Sequence, residues 1–149
     1  MATRMMSTRG PTVGRIVIKF EVANYDDMAL ASRGALAPDK VRRQTISGVV
    51  DTGAAMLVLP ASVVKKLGLR LKRKAKVRYA DGRTRQRWEA AGAHITILDR
   101  DDTFSALAEP GRNDALIGAI VLEALDLLVD SKNGTLAPRD ASGPVYEIE

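Results

Sequence analysis

The sequence predicts a mostly β domain with two short helices. Short apolar runs rich in valine and isoleucine recur along the chain, separated by glycine, proline and aspartate, which is typical of strands joined by tight turns. The length of 149 residues suits one domain. Hydrophobic residues make up 46% of the chain and aromatic residues only 4%, so aliphatic side chains must fill the core.

The first part of the chain contains three predicted strands. Residues 15–22 form a β-branched run with partial alternation, and residues 45–50 form a second run of the same kind. A third strand at residues 56–59 ends at Pro60, because proline cannot donate to a strand ladder. Between the first two strands, residues 24–44 are predicted to form a long connection that includes a helical turn.

The two predicted helices lie at residues 61–67 and 120–127. Gly68 is a natural C-cap for the first helix, because glycine adopts the left-handed conformation easily. A buried strand at residues 115–117 and Gly118 precede the second helix. Further short strands are predicted at residues 94–98, 104–108, 128–130 and 135–137.

A hairpin is predicted around Asp81-Gly82, the strongest turn signal in the chain. If these two residues form the whole turn, Arg78 lies opposite Arg85, and further basic residues oppose one another along the same face. Like charges paired across strands weaken a hairpin. We therefore expect this element to be more mobile than the core.

The net charge of +5 is unevenly distributed. Residues 65–87 contain eleven basic residues and one acid, a net charge of +10, whereas the rest of the chain carries −5. The basic character therefore belongs to one segment, and it requires a local explanation.

Composition excludes several kinds of chemistry. The chain has no cysteine and a single histidine, His94, so it offers neither a cysteine or histidine zinc site nor a well-supported Ser/His/Asp triad. The longest apolar stretch, residues 115–122, is too short to span a bilayer. We expect a cytoplasmic protein with no membrane partner and a flexible N-terminal segment at residues 1–13. Carboxylate chemistry remains.

The candidate carboxylate is Asp51, in the triplet Asp51-Thr52-Gly53. The triplet alone is a weak signal, but its setting is informative, because an apolar strand ends at the aspartate and another begins soon after it. A small hydroxyl residue and a glycine allow the loop to turn tightly. This pattern predicts an acid on a rigid loop at the floor of a cleft, close to backbone amides.

Here the chain resembles the retroviral-type (retropepsin-like) aspartic proteases, and most closely their bacterial stand-alone members. The resemblance rests on residues 51–54 after Gly48-Val49-Val50, and on residues 115–118 followed by a helix. It implies a closed β-barrel-like acid protease fold over residues 14–140, with a tail at residues 141–149. It also implies a mobile hairpin flap between the two motifs.

Aspartic proteases use two carboxylates that share one proton. Only one triplet is present, so the second Asp51 would come from a second copy, in a C2 homodimer. The resemblance implies catalytic roles for Asp51, Thr52 and Gly53, with Thr52 locking the two loops together. It implies a polypeptide substrate, an acidic one being a candidate, and neither cofactor nor metal. The substrate-binding residues would be Ala54, Ala55, Tyr79, Ala80, Asp81, Gly82, Ile117 and Gly118.

Two alternatives to the endopeptidase stay open. The first is a dimeric binding module of the same fold that has lost catalysis. The second is a nucleic-acid-binding protein that uses the basic segment at residues 65–87. The sequence disfavours nucleic-acid binding, because Trp88 and Tyr79 supply little stacking surface.

Overall fold

Nine strands and three short α-helices make up residues 15–149, the part of the chain that this computed structural model describes. The predicted flexible segment at residues 1–13 lies outside the described residues. The strands are β1 (Val17–Asn24), β2 (Arg43–Val50), β3 (Leu57–Pro60), β4 (Arg70–Arg78), β5 (Thr84–Ile97), β6 (Arg100–Glu109), β7 (Ala115–Ile117), β8 (Leu127–Asp130) and β9 (Thr135–Pro138). The helices are α1 (Tyr25–Ser32), α2 (Ala61–Leu67) and α3 (Ala119–Ala124), and a 3-10 turn spans Pro38–Lys40.

Six of the strands close into a barrel. Their order is β1-β2-β7-β3-β6-β5, and β5 pairs back onto β1 with Val22 opposite Ile95. The mostly β, closed-barrel fold predicted above is therefore confirmed. Residues 74–78 of β4 and 84–88 of β5 pair with each other, and β6 joins β5 only from Glu89 onward. We call this two-stranded extension, residues 74–88, the arm.

The barrel interior is mostly aliphatic, as the low aromatic content predicts. Leu57, Leu59, Ile95, Ile117 and Val121 have no exposed surface. Burying such a side chain stabilises a fold by roughly 1.5–3 kcal/mol. These residues come from β3, β5, β7 and α3, and β3 and β7 adjoin the Asp-Thr-Gly loop, so the loop is attached to the buried core.

Both predicted helices are present. α2 has the predicted bounds, and Gly68 ends it in the left-handed conformation with φ of 63°. α3 ends at Ala124 rather than at residue 127, because the chain turns at Asp126, where φ is 56°. No helix within residues 15–149 is long and apolar enough to cross a membrane.

A third helix, α1, lies in the segment predicted to be a long connection. Asn24 caps it, since its side-chain oxygen accepts a hydrogen bond of 3.0 Å from the Asp27 amide. Tyr25 and Leu30 are exposed, and the buried residue of the helix is Asp27. The helix therefore lacks the apolar stripe that would have predicted it.

Asp27 ties this connection to β2. Arg42 donates to its carboxylate from Nε at 2.8 Å, from Nη2 at 3.0 Å and from the backbone amide at 3.0 Å. These hydrogen bonds hold the pKa of Asp27 below its ordinary value, against the opposing effect of burial. Asn24 also donates to the Leu67 carbonyl at 2.8 Å. The connection therefore joins β1, β2 and α2.

The register of the arm differs by one residue from the predicted one. The Tyr79 amide donates to the Arg83 carbonyl at 2.8 Å, which closes a three-residue turn with Gly82 at φ of 90°. Arg78 therefore lies opposite Thr84, and the predicted Arg78–Arg85 pair is wrong. The extra turn residue removes the direct opposition of like charges, so that reason for a weak hairpin no longer applies.

The C-terminal residues return to the barrel. β8 and β9 form the predicted last hairpin, and residues beyond it contact the turn that follows α3. The Val145 amide donates to Asp126 at 2.9 Å, and Arg139 donates to the Val145 carbonyl at 2.8 Å. The buried Arg100 donates to the carbonyls of Leu125 at 3.0 Å and Asp126 at 2.9 Å.

Candidate active site

Asp51 is held by backbone hydrogen bonds on both sides. Its amide donates to the Ile117 carbonyl at 3.0 Å, and its own carbonyl accepts from the Ala54 amide at 3.1 Å. The Gly53 amide donates to the side-chain Oδ1 at 3.0 Å. The turn therefore fixes the carboxylate and directs a backbone amide at it, as predicted from the strand–triplet–strand pattern.

The backbone around Gly118 packs closely against the same loop. A Cβ at Gly118 would lie 2.7 Å from the Ala54 carbonyl oxygen and would also collide with the Met56 carbonyl. Because the backbones approach this closely, the Ala119 amide reaches the Ala54 carbonyl at 2.8 Å, and the Ile120 amide reaches the Ala55 carbonyl at 3.0 Å. Gly118 and Ile117 thus support the loop through their backbone.

A cleft of about 630 Å³ lies between this loop and the arm. Predicted site residues that line it are Asp51, Gly53, Ala54, Ala55, Tyr79 and Ala80. Thr52, Asp81, Gly82, Ile117 and Gly118 do not line it. The structure therefore brings the arm and the Asp51 loop together around one cavity. Almost half of the residues predicted for the site lie outside the lining of that cavity.

The residues outside the cleft have other surroundings. Thr52 is exposed at the tip of the loop, whereas Ile117 is fully buried. Asp81 organises the arm's turn, accepting from the Arg83 amide at 2.9 Å and from Arg83 Nε at 2.7 Å. These bonds, the backbone one foremost, lower the pKa of Asp81. Gly82 supplies the positive φ that the turn requires.

Sequence reasoning missed much of the cleft wall. Leu107 and Glu109 come from β6, Arg112 from the loop after it, and Leu116 from β7. Leu107, Glu109 and Arg112 carry no local motif, and the pairing of β3 with β6 brings that part of the chain to the loop. Leu116 lies within the 115–118 motif, opposite Val49 of β2 and Val58 of β3. Met56, Val58 and the arm residues Ala75, Lys76, Val77 and Arg78 complete the lining.

The arm is fastened to the barrel by Tyr79, Glu109 and Arg87. The Tyr79 hydroxyl lies 2.7 Å and 2.9 Å from the two oxygens of Glu109, and Arg87 Nε donates to Oε1 at 2.7 Å. Burial, and then the hydrogen bond to Glu109, raise the pKa of Tyr79. The tip of the arm is thereby held over the cleft.

No group of three or more His, Cys, Asp or Glu side chains within residues 15–149 is arranged to hold a metal ion. His94 does not line the cleft, and it lies on β5 opposite Thr103 of β6. Its ring nitrogens contact Thr103 Oγ1 and Asp101 Oδ2, each at 2.8 Å.

A closed barrel with a fixed aspartate beneath a hairpin arm is the architecture of an acid protease. The family model described as gag-polyprotein putative aspartyl protease matches residues 39–124, more than half of the chain, and the chain belongs to this family. The solution structure of Simian Foamy Virus (mac) protease aligns with a TM-score of 0.42 at 15% identity, covering 52% of this chain and 80% of the viral one. No curated protein sequence matches.

Proposed function

We propose that the protein is an aspartic endopeptidase that works as a C2 homodimer with paired Asp51 carboxylates. The observation that carries the proposal is the position of Asp51, fixed by the Gly53 amide at 3.0 Å on the floor of the cleft that the arm covers. The family to which the chain belongs supports the same activity. Cytoplasmic location and a stand-alone bacterial origin remain predictions.

Within residues 15–149, the cleft of one chain does not supply a second catalytic carboxylate. Glu109 is the other acid in its lining, and both of its oxygens are engaged by Tyr79 and Arg87. Asp51, by contrast, lies on a loop whose neighbours Thr52 and Gly53 are exposed. A second copy of this loop could meet the first, and this supports the homodimer.

In the proposed reaction, the ionised Asp51 takes a proton from a water molecule, and the oxygen of that water attacks the substrate carbonyl carbon. The protonated Asp51 of the other copy gives its proton to the carbonyl oxygen, which forms a neutral tetrahedral diol. Collapse of the diol breaks the C–N bond. The amide nitrogen receives a proton from the carboxylic acid, and one diol hydroxyl returns a proton to the other carboxylate.

The substrate would lie extended between the loop and the arm. Ala75 and Val77 line the arm side of the cleft, and Met56, Val58 and Leu116 line the barrel side. These small and aliphatic side chains suit apolar substrate residues on either side of the scissile bond. Arg112 also lines the cleft. It is the proposed contact for an acidic substrate side chain.

The test incubates a mixture of denatured proteins with the wild-type chain and counts new N-termini by mass spectrometry. Asp51→Asn should abolish cleavage, and Asp39→Asn, which changes an exposed aspartate on the 3-10 turn, should leave it intact. An excess of Asp51→Asn protein should inhibit the wild type by forming mixed dimers. Equal cleavage by wild type and Asp51→Asn would exclude the proposed mechanism.

A further inference from the structure

Two arginines of the arm region, Arg73 just before the arm and Arg87 within it, are paired with acids on one face. In the observed register, Arg73 and Arg87 lie on the same side as Tyr79, facing the barrel. Each is paired there with an acid: Arg73 with Glu89 at 3.0 Å and Arg87 with Glu109 at 2.7 Å. Arg73 and Arg87 are therefore neutralised where they lie, whereas Arg85, opposite Val77 on the same face, forms no salt bridge with an acid of residues 15–149.

The opposite face of the arm carries unpaired cations. Lys74, Lys76 and Arg78 alternate with the inward residues, and all three are exposed. None of them forms a salt bridge with an acid of residues 15–149. We call this face, with the cross-strand neighbours Thr84, Gln86 and Trp88, the outer face.

Two features of the outer face point to its ligand. Alternate residues of a strand are about 6.6–6.8 Å apart, so the three cations form a straight row with the spacing of groups along an extended polyanion. Trp88 is 41% exposed beside this row, and the ammonium of Lys74 lies 5.3 Å from its ring centroid. The face contains no acid.

Protection of an edge strand explains only part of this pattern. β4 pairs with β5 and with no other described strand, and lysines on such an edge prevent further strand pairing. That role requires the charges but not an exposed tryptophan, which would promote association. An acidic polypeptide would suit the cations, yet it would make no use of the indole ring.

We propose that the outer face is a docking surface for single-stranded nucleic acid. Lys74, Lys76 and Arg78 contact three phosphates, and a base stacks on Trp88. The stacking surface is one indole ring, so the phosphates supply most of the affinity. This proposal does not require proteolysis, because the outer face uses different side chains from the Asp51 loop. The two sites adjoin, since Lys76 and Arg78 also line the cleft.

The test uses intrinsic fluorescence, because Trp88 is the only tryptophan of the chain. Titration with ten-residue oligothymidylate and oligouridylate should quench it, and the two probes separate DNA from RNA. Neutralising three phosphates of a single strand gives a salt slope of about −2, or about a 20-fold loss of affinity between 50 and 200 mM salt.

Two triple variants, one on the outer face and one elsewhere on the surface, each remove three positive charges. Replacing Lys74, Lys76 and Arg78 by glutamine should abolish most of the slope, whereas replacing the exposed Lys40, Lys65 and Lys66 should change it little. Binding by Trp88→Leu is measured by the fluorescence anisotropy of a labelled oligonucleotide. This variant should bind more weakly than the wild type, with the same salt slope.

Three outcomes would overturn the proposal. The first is that the oligonucleotides do not quench the fluorescence of the wild type at 50 mM salt. This outcome does not depend on whether the triple variant aggregates, and it would leave edge protection as the role of the cations. Equal quenching by poly-glutamate at the same charge concentration is the second, since it assigns the face to acidic polypeptides. The third is an equal loss of binding in both triple variants.

Discussion

The hydroxyl of Tyr79 lies 2.7 Å from a carboxylate oxygen of Glu109, and this contact joins the tip of the arm to the end of β6. The two residues are 30 positions apart in the sequence. Arg87, from the other strand of the arm, completes the cluster by donating to Glu109 at 2.7 Å. One small polar cluster therefore connects the arm to the barrel beside the cleft.

Removing the Tyr79 hydroxyl should loosen the arm. Tyr79→Phe loses a hydrogen bond to a charged group, which is worth roughly 1.5–3 kcal/mol, so opening should become about tenfold to a hundredfold more frequent. Hydrogen exchange of the amides of residues 76–86 measures this. Tyr25→Phe, at an exposed tyrosine on α1, is the control. Unchanged exchange in Tyr79→Phe would show that the cluster does not hold the arm.

The Asp27–Arg42 interaction should make stability depend on pH in the acid range. The hydrogen bonds from Arg42 lower the folded-state pKa of Asp27 below its unfolded value of about 3.9. Its stabilisation is then complete above about pH 4 and is lost as the pH falls through the lower folded value. Urea denaturation at pH 6 and at stepwise lower pH measures the loss.

Asp27→Asn should remove this part of the pH dependence. The variant should also be less stable at pH 6, by roughly 1.5–3 kcal/mol, because the hydrogen bonds to the charged carboxylate are lost. Asp39→Asn is again the matched control, since Asp39 is exposed. If Asp27→Asn and wild type lose equal stability on acidification, the pH dependence arises from other carboxylates.

Gly118→Ala should disrupt the loop that carries Asp51. The added methyl group would collide with the carbonyls of Met56 and Ala54, so the loop must shift. We expect a loss of roughly 1–3 kcal/mol in unfolding free energy, typical of an overpacked site, with loss of any cleavage activity. Thermal unfolding together with the cleavage assay measures both effects.

Gly34→Ala is the control for Gly118→Ala. Gly34 has φ of 75° and open space around its Cβ position, so alanine there meets conformational strain but no collision. It should cost roughly 1–2 kcal/mol and leave the Asp51 loop unaffected. Retained cleavage activity in Gly118→Ala would contradict the close fit of the two backbones.

The proposed dimer makes activity depend on concentration. Cleavage per mole of chain should fall on dilution below the dimer dissociation constant, because each active site needs two Asp51 loops. If Thr52 bonds across the axis, Thr52→Ala should raise that constant about two- to twelvefold, the value of one hydrogen bond. Sedimentation equilibrium measures the constant, and Thr84→Ala, at an exposed threonine on the arm, is the control. A constant specific activity across all concentrations would exclude the dimer as the active form.

Local chemistry made several features readable from the sequence. A β-branched run leading into Asp51-Thr52-Gly53, an α2 helix ended by Gly68 and a hairpin around Asp81-Gly82 each depend on residues close together in the chain. The closed barrel followed from the resemblance that these motifs support. The tight turn also determines the hydrogen bond from Gly53 to Asp51, because its geometry involves only those neighbouring residues.

Contacts between distant residues required the tertiary structure. The turn motif fitted both a two- and a three-residue loop, and the observed register, with Arg78 opposite Thr84, depends on how the whole arm packs. Asp27 forms an ion pair with Arg42, and Asn24 donates to the Leu67 carbonyl, only because β2 and α2 lie beside them. Glu109 and Arg112 reach the cleft only because β6 pairs with β3.

The sequence by itself determined where the candidate carboxylate lies and that the charge is concentrated in one segment, since both are properties of neighbouring residues. Only the tertiary structure decided which cations are neutralised and which stay free. That division depends on acids far along the chain: Glu109 is 22 residues from Arg87, and no acid of residues 15–149 pairs with Lys74, Lys76 or Arg78. Packing brings such partners together, and no local pattern predicts it.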